Sequence, residues 1–243
     1  MASFTEIPHV INLGNSIIGV SILAMPFCFK QCGIALAILL VLFSNCLTKA
    51  TCHLLLRSAQ ITKKRNYEFL SYHVLGPVGK FAVEISMIGF LIGTGIAYFV
   101  IIGDLGPPIV ANLLGIEDDA SLRKLLMVAM AVLILPLCLL REIASLSHFN
   151  AMSMLFYCIF VGKIVFESLP MLLSSKWLLH ANLWRPAGVF RCLPIFAMAL
   201  SCQFQIFVIY EDLADPSLKA MKSIVAGAVN LCSLVYITVS GRR

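Results

Sequence analysis

The sequence predicts an all-α membrane protein that folds as a bundle of transmembrane helices. Its amino-acid composition and the distribution of its charged residues both support this prediction. Of the 243 residues, 60% are hydrophobic and 12% are charged, against ~45–50% and ~25% in ordinary globular domains. The mean hydropathy is +0.96. One soluble core stops growing at about 250–300 residues, so a water-soluble fold of this length could not bury that much apolar surface.

Seven stretches are long and apolar enough to cross a bilayer, which takes ~20 helical residues. A helix fits each stretch better than a barrel strand, because a strand would be about 10 residues long with strict alternation of polar and apolar positions. We therefore predict helical spans near residues 7–27, 33–56, 79–103, 122–140, 149–169, 190–210 and 222–239.

The basic residues between the second and third spans predict the orientation of the bundle. Arg57, Lys63, Lys64 and Arg65 form the densest positive cluster in the sequence. Short loops rich in lysine and arginine stay in the cytoplasm, so the N-terminus is expected inside. The connection between the fifth and sixth spans argues the other way. Its basic residues are Lys176, Arg185 and Arg191.

The first span carries residues that an unbroken membrane helix avoids. Two glycines, two asparagines, two serines and a proline fall between Asn12 and Pro26. The sixth span is interrupted by Ser201, Cys202 and Gln203. Unwound backbone persists at membrane depth only where protein or a watery cavity satisfies it. Interrupted spans at corresponding positions in the two halves of a symmetric fold indicate a transporter site. The alternative is that the small residues simply let neighbouring helices pack closely.

Polar residues in the second span share one helical face. Asn45, Thr48, Lys49 and Cys52 are spaced three or four apart, so they form a single stripe. We expect this stripe to face the interior of the bundle, or the cytoplasmic end where Lys49 can reach water.

The sequence excludes several other classes of protein. It has no G-x-S-x-G, Walker or H-E-x-x-H motif, so we expect no enzymatic activity and no cofactor. Its net charge of +6 comes largely from scattered residues and one loop cluster, so we expect no nucleic-acid partner. The nine cysteines fall almost wholly in apolar runs and are expected to be free thiols.

The stretch NSIIGVSILAMP at 15–26 resembles the first-helix signature of the amino acid/auxin permease group. Within that group the chain is most similar to the sodium-coupled neutral amino acid transporters of solute carrier family 38, and the likeness covers nearly its whole length. The other stretches that carry it are MPFCFKQCG at 25–33, EISMIG at 84–89, IGDLG at 102–106 and FRCLPIF at 190–196.

The resemblance implies a five-plus-five inverted-repeat transporter fold. One transmembrane domain would cover residues 1–243, with the first repeat (spans 1–5) over 7–173 and the start of the second (spans 6 and 7) over 190–243. The second repeat would be incomplete. We therefore expect this chain to be an N-terminal portion, truncated after about seven helices, with little transport activity alone.

The resemblance also implies a substrate site at breaks in the first and sixth spans. The amino acid carboxylate would bind backbone amides of Gly19, Val20 and Ser21, where the positive end of a half-helix favours an anion. The amino group and side chain would face residues of the second break. Those residues are Ser201, Cys202 and Gln203.

The function implied is secondary-active transport of neutral amino acids such as glutamine, working by alternating access. A sodium ion would bind near Asn15 and Ser16, together with the eighth span of the family fold, which we expect to be missing from this chain. The partners would be the amino acid substrate and the lipid bilayer, with the oligomeric state, the membrane and the choice between sodium and proton left open. The alternatives are a non-transporting membrane sensor or regulator of the same family, and a seven-span receptor, which would have a continuous first helix.

Overall fold

The structure is a computed structural model that describes residues 6–115, 120–139, 147–173, 183–213 and 217–240. Every regular element in these ranges is a helix, which confirms the all-α fold class. A short 3-10 turn, Pro186–Gly188, precedes the seventh helix. The α-helices are α1 (Ile7–Ile18), α2 (Ser21–Cys32), α3 (Ile34–Thr62), α4 (Tyr67–Leu114), α5 (Ala120–Cys138), α6 (Ser147–Leu173), α7 (Val189–Ala199), α8 (Gln205–Asp212) and α9 (Leu218–Ser240).

Several of these helices are long and apolar enough to cross a membrane. By length and composition α3, α4 and α9 each qualify, and α1 with α2 qualifies as one span bent by 58°. One face of α3 is buried, while Leu42, Phe43 and Leu47 on its other face are exposed. Exposed apolar faces of this extent are suited to lipid. The protein is therefore an integral, multi-pass membrane protein, and the total of seven spans stays a prediction.

The helices fall into two compact units. The first comprises residues 1–83 and 149–243, and the second comprises residues 84–148. Within the second unit, the guanidinium of Arg123 on α5 donates to a carboxylate oxygen of Asp104 on α4, 2.8 Å away. The first unit holds both interrupted spans and the rest of this description concerns it.

The core of the first unit is built around α9. This helix packs against α1, α2 and α3, and α2 in turn packs against α3 and α7. The fully buried side chains of α9 include Met221, Ile224 and Tyr236. Such interdigitation of apolar side chains fixes the helices that carry the two breaks.

The chain before α7 is bound to the junction of α2 and α3. The amide of Arg185 donates to the carbonyl of Cys32 at 2.8 Å, and the amide of Ala35 donates to the carbonyl of Leu183 at 3.1 Å. Gly188 lies so close to the backbone of Gln31 that a Cβ atom would clash with it. These contacts set where α7 enters the bundle.

The predicted spans 33–56 and 79–103 leave a connection over residues 57–78 that is much shorter in the structure. Helix α3 continues to Thr62 and α4 already begins at Tyr67, with a break in α4 at Gly76. Tyr67 and Leu70 pack with Ala59 and Phe207 in a small apolar cluster. That tertiary packing stabilises helical structure beyond the ends of the apolar stretches. The distribution of charged residues in the sequence does not indicate this extension.

Candidate functional site

The first span is broken at Gly19, where the sequence predicts an interruption. Helix α1 ends at Ile18 and α2 begins at Ser21, and Gly19 has φ 32° and ψ −139°. A positive φ of this kind is readily adopted by glycine and disfavoured for residues with a Cβ atom. The residue type at 19 therefore permits the turn between the two half-helices.

The break leaves the start of α2 open to an anion. The first amides of a helix have no partner within it, and they carry the positive end of the helix dipole. The amide of Leu23 donates to the carbonyl of Val20 at 3.1 Å. Among the described residues no side chain caps this helix start. Gly19 and Val20 are half-buried, as is Ser21.

The sixth span is broken as well. Helix α7 ends at Ala199 and α8 begins at Gln205. Two turn hydrogen bonds hold the intervening residues, from the Ser201 amide to the Met198 carbonyl at 3.1 Å and from the Gln205 amide to the Cys202 carbonyl at 3.0 Å. The break coincides with Ser201, Cys202 and Gln203, the polar residues singled out from the sequence.

Gln203 organises the second break through its carboxamide group. Its Oε1 accepts hydrogen bonds from the Ser201 hydroxyl and the Cys202 amide, each at 3.1 Å. Its Nε2 donates to the Thr51 hydroxyl of α3 at 3.2 Å. Nearby, the sulfur of Cys202 lies 3.7 Å from that of Cys52. Both contacts tie the break to α3.

Tyr236 of α9 connects the two breaks, a role that no local sequence motif indicates. Its hydroxyl oxygen lies 3.0 Å from the Ile17 carbonyl and 3.3 Å from the Ile18 carbonyl, at the end of α1. The same oxygen lies 2.9 Å from the Ala199 carbonyl, at the end of α7. The last carbonyls of a helix have no intrahelical donor, so one buried hydroxyl serves both half-helix ends.

The polar stripe of α3 faces the interior, as predicted. Asn45, Thr48 and Cys52 are buried. The side-chain nitrogen of Asn45 donates to the Ser233 hydroxyl at 2.8 Å, and Lys49 donates to the side-chain oxygen of Asn230. The stripe therefore binds α3 to α9 beside the breaks.

A cavity of about 530 Å³ lies between α3 and α9. On the α3 side it is lined by Lys49, Cys52 and His53, and on the α9 side by residues that include Lys222 and Asn230. Cys52, which lines the cavity, also contacts Cys202 of the second break. The Nδ1 atom of His53 is buried and has no hydrogen-bond partner among the described residues. The described lining carries cationic groups and no carboxylate.

The predicted sodium ligands lie on α1 ahead of the first break. Asn15 is half-buried. Ser16 is exposed, and its hydroxyl donates to the Asn12 carbonyl of the preceding turn at 3.1 Å. In this conformation the Ser16 hydroxyl is thus directed along its own helix. Within the described ranges no group of three or more His, Cys, Asp or Glu side chains could hold a metal ion.

Comparison with known proteins agrees with this architecture. Residues 5–241 match the family described as "Transmembrane amino acid transporter protein". The chain is 45% identical over 233 residues to the human protein "Solute carrier family 38 member 10", which covers 95% of this chain and 21% of that protein. It is 44% identical to "Putative sodium-coupled neutral amino acid transporter 10" of Xenopus laevis, over 95% of this chain and 22% of that protein.

A more distant plant relative extends the likeness. The chain is 28% identical over 253 residues to "Amino acid transporter AVT6B" of Arabidopsis thaliana, covering 95% of this chain and 54% of that protein. The chain thus spans about a fifth of the length of the vertebrate relatives it matches. No solved structure matches it significantly. The match over residues 5–241, together with the long apolar helices, shows that this chain belongs to the transmembrane amino acid transporter protein family.

Proposed function

We propose that this chain carries the substrate site of a secondary-active amino acid transporter, with an amino acid bound between the two helix breaks. The observation that carries this proposal is the Tyr236 hydroxyl, which reaches carbonyl groups at both breaks. Two breaks held side by side offer the backbone amides at the start of α2 and the carbonyls at the end of α7 together. A free amino acid needs both, because its two charges are costly to remove from water unless each is bound.

The carboxylate of the substrate would bind at the first break. Gly19, Val20 and Ser21 lead into the uncapped start of α2. Backbone amides there donate without requiring a positively charged side chain, and the helix dipole adds a favourable field. The half-buried position of these residues would strengthen such hydrogen bonds relative to water.

The amino group and side chain of the substrate would meet the second break. The Ser201 hydroxyl and the carbonyls after Ala199 are acceptors of the kind that an ammonium group needs. Gln203 already has partners for both ends of its carboxamide, so it shapes this side of the site. The absence of a carboxylate among Ser201, Cys202 and Gln203 suits a neutral amino acid such as glutamine.

The transport cycle that we propose is alternating access. In it, the cavity between α3 and α9 is the route from one membrane face to the second break. Cys52 lines this route and touches Cys202 at its inner end. Lys49 and Lys222 give the route a positive field, which would draw in the carboxylate of an arriving amino acid.

Sodium coupling is part of the proposal, with the ion near Asn15, Ser16 and the carbonyls beside them. Sodium is a hard cation and favours oxygen ligands, as other hard cations do. The Ser16 hydroxyl now donates to Asn12. Ion binding would require this hydroxyl to turn its oxygen toward the ion, which a single rotation about χ1 permits.

The broken first span weighs against the seven-span receptor, since such a receptor would have a continuous first helix. Because this chain alone is expected to transport little, transport is tested in a full-length relative reconstituted into proteoliposomes. Uptake of radiolabelled glutamine is measured with sodium outside or with choline in its place. The proposal predicts sodium-stimulated uptake that Gly19→Leu, made at the matching glycine of that relative, abolishes without loss of expression. Glutamine binding by the full-length relative without any uptake would favour the sensor or regulator instead.

A further inference from the structure

We propose that the bend in α4 at Gly76 forms a binding site for the phosphate-bearing headgroup of an anionic membrane lipid. This site lies outside the substrate site, on residues 64–80 of the first unit. It is carried by the shape of the bend, the positive charge collected there and the apolar side chains around it.

The residue types at the bend favour its backbone conformation. Gly76 has φ 70° and ψ −161°, a conformation that favours glycine. Pro77 follows, and a proline disfavours helical geometry in the residue before it. Beyond the bend, Gly79 leaves so little room that a Cβ atom would lie 2.9 Å from the Ser71 hydroxyl oxygen. The two arms of α4 therefore press against each other at Ser71 and Gly79.

The bend lines an open cavity of about 490 Å³, a volume within the range of small-ligand pockets. Its lining comes from three parts of the chain: Lys64 before α4, then Phe69, Tyr72 and His73 on the first arm, and Lys80 on the second arm. The ammonium group of Lys80 lies 5.5 Å from the centre of the Phe69 ring. This cation–π contact holds the charge at the cavity wall.

The chemistry of this lining favours a phosphate group. Lys64 and Lys80 supply ammonium groups, and the Tyr72 hydroxyl and His73 ring can donate hydrogen bonds. Among the described residues that line the cavity none is acidic. Charge-assisted hydrogen bonds from lysine to phosphate are about twice as strong as neutral ones.

The surroundings of the cavity favour a lipid as the carrier of that phosphate. Val74, Leu75 and Val78 on the bend are 65%, 69% and 80% exposed. Tyrosine, as at Tyr72, is typical of the membrane–water interface. The predicted orientation places this interface on the cytoplasmic side, where anionic lipids concentrate. A lipid would fill the cavity with its headgroup and cover the exposed apolar side chains with its acyl chains.

The test is a binding titration of the purified protein in neutral detergent. The probe is a fluorescent short-chain phosphatidylinositol bisphosphate, followed by anisotropy, with the same fluorophore on phosphatidylcholine as the reference lipid. The variants are Lys64→Ala, Lys80→Ala and their combination. Lys63→Ala is the matched control, because it removes a neighbouring charge that does not line the cavity. Elution profile and melting temperature verify that each variant is folded, and Lys64→Gln with Lys80→Gln replaces any variant that is not.

We expect the double variant to weaken binding at least about tenfold, since a lysine close to lipid phosphate contributes on the order of fivefold. Lys63→Ala should change binding less than about twofold. Equal loss in Lys63→Ala and Lys64→Ala, or no preference over phosphatidylcholine, would overturn the site. Displacement by inorganic phosphate or soluble inositol trisphosphate at the concentration that the lipid itself requires would overturn the lipid as its ligand.

Discussion

The hydroxyl of Tyr236 lies 2.9 Å from the carbonyl oxygen of Ala199, at the last residue of α7. The same hydroxyl is within hydrogen-bonding distance of two carbonyls at the end of α1. A hydroxyl has one proton to donate, so it serves one carbonyl at a time and is shared among three. Tyr236 is completely buried, which makes it a positioning residue for both breaks.

Replacing Tyr236 by phenylalanine tests this positioning role. Tyr236→Phe keeps the ring but removes the hydroxyl that reaches both helix ends, leaving buried carbonyls with one donor fewer. We expect a loss of about 1–3 kcal/mol in the free energy of unfolding, seen as a lower melting temperature in detergent. Tyr98→Phe is the control, since Tyr98 is 44% exposed on α4. Equal melting temperatures for the two variants would show that the shared hydroxyl does not hold the breaks.

The contact between Cys52 and Cys202 predicts a specific crosslink. Their sulfur atoms are 3.7 Å apart and need to approach to ~2.05 Å to form a disulfide. Mild oxidation by copper(II) phenanthroline, which accepts the two electrons as two protons leave, should join them. Peptide mapping by mass spectrometry identifies the linked pair. Cys46→Ser, on the exposed side of the same helix, should leave the crosslink intact.

The same crosslink would immobilise the second break against α3. If the break takes part in substrate binding, glutamine binding should fall with oxidation and recover with a reductant. A wild-type chain in which Cys202 links to a cysteine other than Cys52 would contradict the position of the second break.

Gly188 is predicted to tolerate no larger residue. A Cβ atom there would clash with the backbone of Gln31, and overpacking of this kind typically costs about 1–3 kcal/mol. Gly188→Ala should lower the melting temperature and the yield of folded protein. Gly162→Ala is the matched control on α6, where nothing lies within 4 Å of the added Cβ. If Gly188→Ala melts like wild type, the segment before α7 does not rest on α2 as described.

The buried amide of Asn45 is expected to matter for stability. Its side-chain nitrogen lies 2.8 Å from the Ser233 hydroxyl and 3.3 Å from the Val229 carbonyl. Asn45→Leu would leave those groups without this donor, so we expect a loss of about 1–3 kcal/mol. The exposed neighbour Leu47 provides the control as Leu47→Ala, which should unfold nearly as wild type does in detergent. A larger effect at Leu47 than at Asn45 would contradict the inward-facing stripe.

Local sequence signals were sufficient to predict the first break and the polar stripe of α3. Gly19 marks a position that adopts a positive φ, and the spacing of Asn45, Thr48 and Cys52 places them on one face. Both features depend on residues close together in the chain, where residue type and helical periodicity are informative.

Long-range contacts could not be predicted in the same way. Tyr236 lies in an apolar run, and its partner Ile17 is 219 residues away in the sequence. The only available signal was that a buried tyrosine hydroxyl needs a partner. The helical arm before Gly76 was missed for a related reason, because Tyr67 and Leu70 are stabilised by Phe207 from a distant part of the chain.

The most direct test of the substrate site is amino acid binding to the purified protein carrying Gly19→Leu. Binding of radiolabelled glutamine and other neutral amino acids is measured by scintillation proximity in sodium buffer. Gly162→Leu is the control, because nothing lies within 4 Å of a Cβ atom added at Gly162. Leucine strains the positive φ of Gly19 and so distorts the turn that leads into α2. We expect wild type and Gly162→Leu to bind while Gly19→Leu, equally monodisperse, does not. A substrate site at the first break is ruled out if Gly19→Leu binds as tightly as Gly162→Leu, or if the folded wild-type protein binds none of these amino acids.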